Sequence, residues 1–147
     1  MKKFTILLLS FSLVSYSAFS QKNPPENVRK AFTAKYASAQ SVKWDHEEKT
    51  EWEAEFKIGD KKMSASFDNS AKWIESETAI AEKELPAAVV STLNKDFQGY
   101  KRGPAEIFES PEIKGFELSL RKGEIALEVI FDSNGKIIKK TEVKEED

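Results

Sequence analysis

The sequence predicts an α+β protein in which one unit, a helix followed by a four-stranded antiparallel sheet, occurs twice as a tandem duplication. The helices should lie on one sheet face, in two layers. Three observations predict this. First, Phe67-Asp68-Asn69-Ser70-Ala71-Lys72-Trp73-Ile74 lies over Phe131-Asp132-Ser133-Asn134-Gly135-Lys136-Ile137-Ile138 at a constant offset of 64, with Phe, Asp, Lys and Ile matching. The same offset pairs Trp52 with Phe116, Phe56 with Leu120, Gly59 with Gly123, Met63 with Leu127 and Ala65 with Val129. Second, Pro25, Val28, Phe32 and Tyr36 pair with Pro86, Val89, Leu93 and Phe97 at an offset of 61. Third, the apolar periodicity switches once in each copy, from helical spacing to strict alternation.

Each element follows from its local pattern. Val28, Ala31, Phe32, Tyr36 and Ala39 recur at helical spacing, as do Val89, Leu93, Phe97 and Tyr100. Pro25 and Pro86 suit a first helical turn, where the missing N–H is not needed, and Gly99 suits a helix stop. Trp52, Ala54, Phe56 and Ile58 then alternate with Glu51, Glu53, Glu55 and Lys57. Ile125, Leu127, Val129 and Phe131 alternate in the second copy, the pattern of half-buried antiparallel strands. Gly59 and Gly123 mark tight reversals, and Asp132-Ser133-Asn134-Gly135 marks a hairpin. The predicted strands are 41–47, 51–58, 62–68 and 72–79, then 105–110, 115–121, 124–131 and 136–143. The change of offset from 61 to 64 implies three extra residues in the second copy, expected between helix and sheet near Gly99 to Pro104, because loops tolerate insertions. The units are 21–80 and 81–147, within one compact domain, 21–143.

The amino terminus predicts export. Lys2 and Lys3 precede an uncharged apolar run, and Ala18 and Ser20 are small residues before Gln21, the three parts of a signal peptide over 1–20 cleaved near Ser20-Gln21. The expected location is periplasmic or secreted, with no membrane span after cleavage. Cleavage takes the formal charge from −2 to −4, which argues against a nucleic-acid partner. Cysteine is absent, which removes disulfides, thiol catalysis and cysteine-based metal sites.

Strand parity predicts a face turned away from the helices. With two- or four-residue hairpin loops, it carries Glu53, Glu55, Lys57, Ser64, Ser66, Trp73 and Glu75 in copy one. Copy two supplies Glu117, Ser119, Arg121, Glu128, Ile130, Ile137 and Lys139, and a register change in either hairpin would reverse the assignment. Large apolar groups among charges suit a protein-binding surface, so Trp73, Glu53, Glu55, Ile130 and Ile137 are the candidate partner-binding residues, with Trp73 as anchor.

Catalytic patterns are missing. His46 is the only histidine and reads as a surface residue, and no G-x-S-x-G, H-E-x-x-H or phosphate-cradling loop occurs. Glu51, Glu53 and Glu55 read as a solvated strand face, with nothing to suggest the apolar pocket that would raise a carboxyl's pKa. Asp68, Asp132 and Asn134 are weak calcium candidates, since Asp132-Ser133-Asn134-Gly135 resembles the opening of a Ca²⁺ loop. Val143 stands where such a loop needs a closing acid, so a turn that uses Asp and Asn explains these residues better.

Val42-Lys43-Trp44 after the helix, Trp52-Glu53-Ala54-Glu55-Phe56, and Phe67-Asp68 leading into Lys72-Trp73-Ile74 together resemble the PepSY-like family of small periplasmic proteins. The resemblance covers 25–143. It implies a fold similar to the β-lactamase inhibitor protein, with a concave sheet face that can clasp another protein, and it implies no inhibitory residue set. The expected function is therefore a non-enzymatic binding module without a cofactor, acting on a protein partner. The alternative is a calcium- or small-ligand-responsive protein using the Asp68 and Asp132 loops.

Overall fold

The computed structural model describes residues 23–47 and 50–143, so the expected signal peptide over 1–20 lies outside the described residues. Helix α1 (Glu26–Lys35) precedes strands β1 (Gln40–Glu47), β2 (Glu51–Ile58), β3 (Lys61–Asp68) and β4 (Trp73–Ile80). A short 3₁₀ turn (Glu82–Glu84) leads to α2 (Ala87–Asp96). Strands β5 (Lys101–Glu109), β6 (Lys114–Lys122), β7 (Ile125–Phe131) and β8 (Ile137–Val143) follow. All eight strands form one antiparallel sheet in sequence order. The halves join where β4 pairs with β5, from Ser76↔Glu109 to Ile80↔Ala105.

Both helices cover the same sheet face. Val28, Phe32 and Tyr36 of the first copy pack on Ala54, Phe56, Ala65 and Phe67. Val89, Leu93 and Phe97 of the second pack on Leu118, Leu120, Leu127, Val129 and Phe131. Phe32 is the hub of the first core, with edge-on contacts to Trp44, Phe56 and Phe67 at 5.1, 5.0 and 6.3 Å between ring centroids. Each helix is also tied to its distal hairpin. Asn27 Nδ2 donates to the Asn69 carbonyl, and Thr92 Oγ1 donates to that of Gly135.

The three extra residues of copy two lie elsewhere than expected. Trp44↔Ala54 and Asp45↔Glu53 correspond to Ala105↔Leu118 and Glu106↔Glu117, so the offset of 61 persists through β5 and changes to 64 only at β6. The insertion therefore enlarges the hairpin loop between Phe108 and Gly115. The joint from helix to sheet keeps its length because it sets where the helix lands. A solvent-facing loop has no such constraint. Each copy instead has a register shift at that joint, Gln40/Lys43 and Arg102/Ala105.

The distal hairpins correct a second expectation. Asp68 N donates to the Lys72 carbonyl and Asp132 N to that of Lys136, which leaves three loop residues in each copy. The last of them, Ala71 or Gly135, has a positive φ of 70° or 77°. A three-residue loop reverses the parity of a two- or four-residue one. It pairs Phe67 with Trp73 and Phe131 with Ile137, and a bulge at Ile74 or Ile138 then restores the expected register at Ser66↔Glu75 and Ile130↔Lys139. Trp73 and Ile137 consequently pack on the helix side, in the two cores.

Candidate functional site: an acid-lined depression

The sheet face without helices is concave. Glu75 and Glu77 of β4, Phe108 of β5, Glu117 of β6, Glu128 and Ile130 of β7, and Lys139 and Thr141 of β8 line one shallow depression, open to solvent. In a flat sheet β4 and β8 would stand about 19 Å apart, four strand spacings. The sheet must curl for their side chains to share a wall.

Backbone register places each group. Ser66 stands opposite Glu75 and Ser64 opposite Glu77, while Glu106 faces Glu117 directly across the β5–β6 ladder. Ile130 stands between Glu117 and Lys139, and Thr141 opposite Glu128. Phe108 and Ile130 are buried and form the apolar floor. Gly115, opposite Phe108, makes room for that floor, because a Cβ there would meet the Phe131 carbonyl and stand 2.9 Å from Ile130 Cγ2.

Carboxyl groups are buried on this face. Glu77 is 6% exposed and Glu128 8%, and Glu53 of β2 is 8% exposed. Burial, together with the charges of Glu106, Glu117, Glu75 and Glu53, pushes the Glu77 carboxyl up to about 9. Burial raises Glu117 to about 8, with Glu128, Glu106 and Glu75 adding to the rise and Lys139 opposing it. Glu128 rises to about 7 through burial, which Lys139 partly offsets. Glu75 and Glu106 are raised mainly by burial too. Each effect has the same origin, since a low-dielectric setting and like-charged neighbours both disfavour the ionised carboxyl. The Ser64 hydroxyl donates to Glu77 Oε2 at 3.2 Å.

The residues expected on this face divide. Glu53, Glu55 and Ile130 stand on it, and Ile130 lines the depression. Trp73 does not: its indole lies in the first core, with Lys35 Nζ 3.8 Å from the ring centroid. The Trp73 N–H and the Tyr36 hydroxyl are both buried, and neither completes a hydrogen bond among the described residues. Ile137 packs against the second core. A uniformly solvated acidic face is also corrected, because Glu53 is buried and concavity supplies the apolar setting that strand alternation cannot reveal. Glu77, Glu106, Phe108 and Thr141 stand on this face as well, beyond the residues that strand parity predicts for it. The alternation Glu75-Ser76-Glu77 was a usable signal for Glu77, given the Glu75 assignment. The Asp68 and Asp132 carboxylates shape their own turns. Asp68 Oδ1 accepts from Ser70 N, Ser70 Oγ and Lys72 N, and Asp132 Oδ1 accepts from Asn134 N and Lys136 N. Burial works against ionisation of Asp68, yet these bonds hold its carboxyl below the usual value.

The family described as "Putative beta-lactamase-inhibitor-like, PepSY-like" has a model that matches residues 12–64 and 50–139. Solved structures share the fold. A BLIP-like protein from Bacteroides fragilis NCTC 9343 is 20% identical with a TM-score of 0.72, over 87% of this chain and 92% of that one. A DUF2874 family protein from Bacteroides uniformis ATCC 8492 is 21% identical with a TM-score of 0.71, over 82% and 90%. A protein of Bacteroides eggerthii DSM 20697, described as one of the "putative periplasmic proteins", is 19% identical with a TM-score of 0.71, over 84% and 91%. No curated protein matches the chain. No helix among the described residues is long and apolar enough to cross a membrane.

Proposed function

The chain belongs to the PepSY-like, beta-lactamase-inhibitor-like family, and we propose that it is an exported, non-enzymatic binding module that engages a protein partner through the open face of its sheet. The observation that carries this reading is the burial of Glu77 and Glu128 in a concave surface that neither α1 nor α2 covers. Buried carboxyls lower fold stability, so a face that keeps them is better explained by something it receives than by packing.

Acid catalysis fits less well. A hydrolytic pair needs environments that push two pKa values apart, so that one carboxyl stays ionised while the other holds its proton. Here Glu75, Glu77, Glu106, Glu117 and Glu128 all shift upward together. A calcium-responsive role through the Asp68 and Asp132 loops also has less to rest on, because the turns already engage one oxygen of each carboxylate.

Photo-crosslinking residues placed singly in the native envelope test the reading. Positions Ser64 and Ser119 on the open face should trap a discrete protein, whereas Arg29 and Ser91 on the exposed helix surfaces should not. Crosslinks confined to the helix positions would overturn it.

A further inference from the structure

Among the described residues, no hydrogen bond or ion pair reaches the Glu128 carboxyl, although the side chain is 8% exposed and lines the depression. The enclosed polar atoms without a partner are those of Tyr36 and Trp73, so the Glu128 oxygens open onto the solvent of the depression, where an incoming group can reach them. Its charged neighbours come from every surrounding strand: Glu75 from β4, Glu106 from β5, Glu117 from β6 and Lys139 from β8. Glu53 of β2 bears on Glu77, and Glu51 on Glu75. Among the described residues that line the depression, Lys139 is the one cation beside Glu75, Glu77, Glu117 and Glu128, so acidic groups outnumber basic ones there. No trio of acidic or histidine side chains among the described residues is arranged to hold a metal ion.

Resting on the binding reading above, we propose that the partner is a protein with a basic segment that inserts a lysine or arginine side chain into the depression. The cationic head seats among Glu75, Glu77, Glu117 and Glu128, and the aliphatic stem lies on Phe108 and Ile130. A long side chain with an apolar stem and a charged tip matches an apolar floor ringed by carboxyls. Charge complementarity favours this occupant over a second copy of the chain, because a cation is attracted to the carboxylates as they ionise, whereas two identical faces would repel each other once ionised.

Binding of this kind expels protons. In the empty face Glu77 and Glu117 hold their protons at neutral pH. A seated cation favours the ionised carboxylates, so their protons leave to solvent and affinity rises with pH. The rise begins at the lowered pKa values of the complex, continues through neutral pH, and levels off above about 9, where the carboxyls of the empty face have all ionised.

The test is a random peptide library displayed on phage and panned at alkaline pH over the chain from Gln21 onward, followed by calorimetry with the enriched peptides in two buffers of different ionisation enthalpy. Thr141→Arg places a guanidinium in the depression and blocks it to any ligand, while Glu117→Gln with Glu128→Gln removes charge without bulk. The proposal expects Lys- or Arg-bearing peptides, proton release at neutral pH, loss of binding in Thr141→Arg and binding about tenfold weaker in the double Gln variant. Peptides that Thr141→Arg blocks but that lack basic residues, or that ignore the double Gln change, would overturn the basic partner and leave the open-face reading standing. Peptides indifferent to Thr141→Arg, or no peptide at all, would count against the open-face reading itself.

Discussion

On the helix side of the sheet, Phe67, Phe131, Leu118 and Val129 are buried under α1 and α2, while at comparable depth on the other side stand Glu53, Glu77 and Glu128. The same strands carry both sets, one residue apart, as Val129 beside Glu128 shows most directly. One face buries apolar groups and gains stability from it. The other buries carboxyls and loses stability, which is the pattern expected where a surface is kept for a ligand. Depth of burial therefore does not reveal what a face is for. The chemistry placed at that depth does.

Four substitutions test this contrast. The largest effect belongs to the helix side, where Phe131→Ala should cost about 3–5 kcal/mol in a denaturant titration. Gly135→Ala should cost about 2–3 kcal/mol, because φ is positive there and a Cβ would meet the Ala88 carbonyl and lie 2.8 Å from Thr92 Oγ1. On the open side the sign should invert. Glu117 has a raised pKa in the folded chain, so it holds its proton where the unfolded chain has lost it, and stability falls as pH climbs from about 4.5 toward about 8. Glu117→Gln should thus be near neutral at pH 5 and stabilising by about 1–2 kcal/mol at pH 9, after discounting for the partial exposure of the side chain. The smallest effect is Ala71→Gly, a gain of about 0.5–1 kcal/mol, since Ala71 occupies the left-handed conformation that its counterpart Gly135 adopts without strain.

Much of the helix side was legible from order and period alone. Val28, Phe32 and Tyr36, and their counterparts at an offset of 61, lie where helical spacing puts them, and the alternating strands bury the expected members except Ile125, which is exposed at the start of β7. The open side was legible only in part. A two- or four-residue hairpin loop would put Trp73 and Ile137 on it, whereas Asp68 and Asp132 each brace a three-residue loop followed by a bulge. A one-residue change of that kind moves a side chain through the sheet and leaves no mark on local composition. The insertion in copy two was misplaced because β5 has too few side chains in common with β1 to carry an alignment: Ala105 stands where copy one has Trp44. The acid-lined depression was hidden for a different reason. Alternation shows that Glu53, Glu75, Glu117 and Glu128 share a face, but their common wall depends on the curl that brings β4 toward β8, a property of the whole sheet.

Burial of those carboxyls is read most directly from their ionisation, which side-chain ¹³C NMR follows residue by residue across a pH titration of the chain from Gln21 onward. It predicts that Glu117 and Glu77 remain protonated at neutral pH and titrate near about 8 and about 9. Midpoints close to the ordinary glutamate value of 4.5 would show a solvated acidic surface in place of a buried one, and would contradict it.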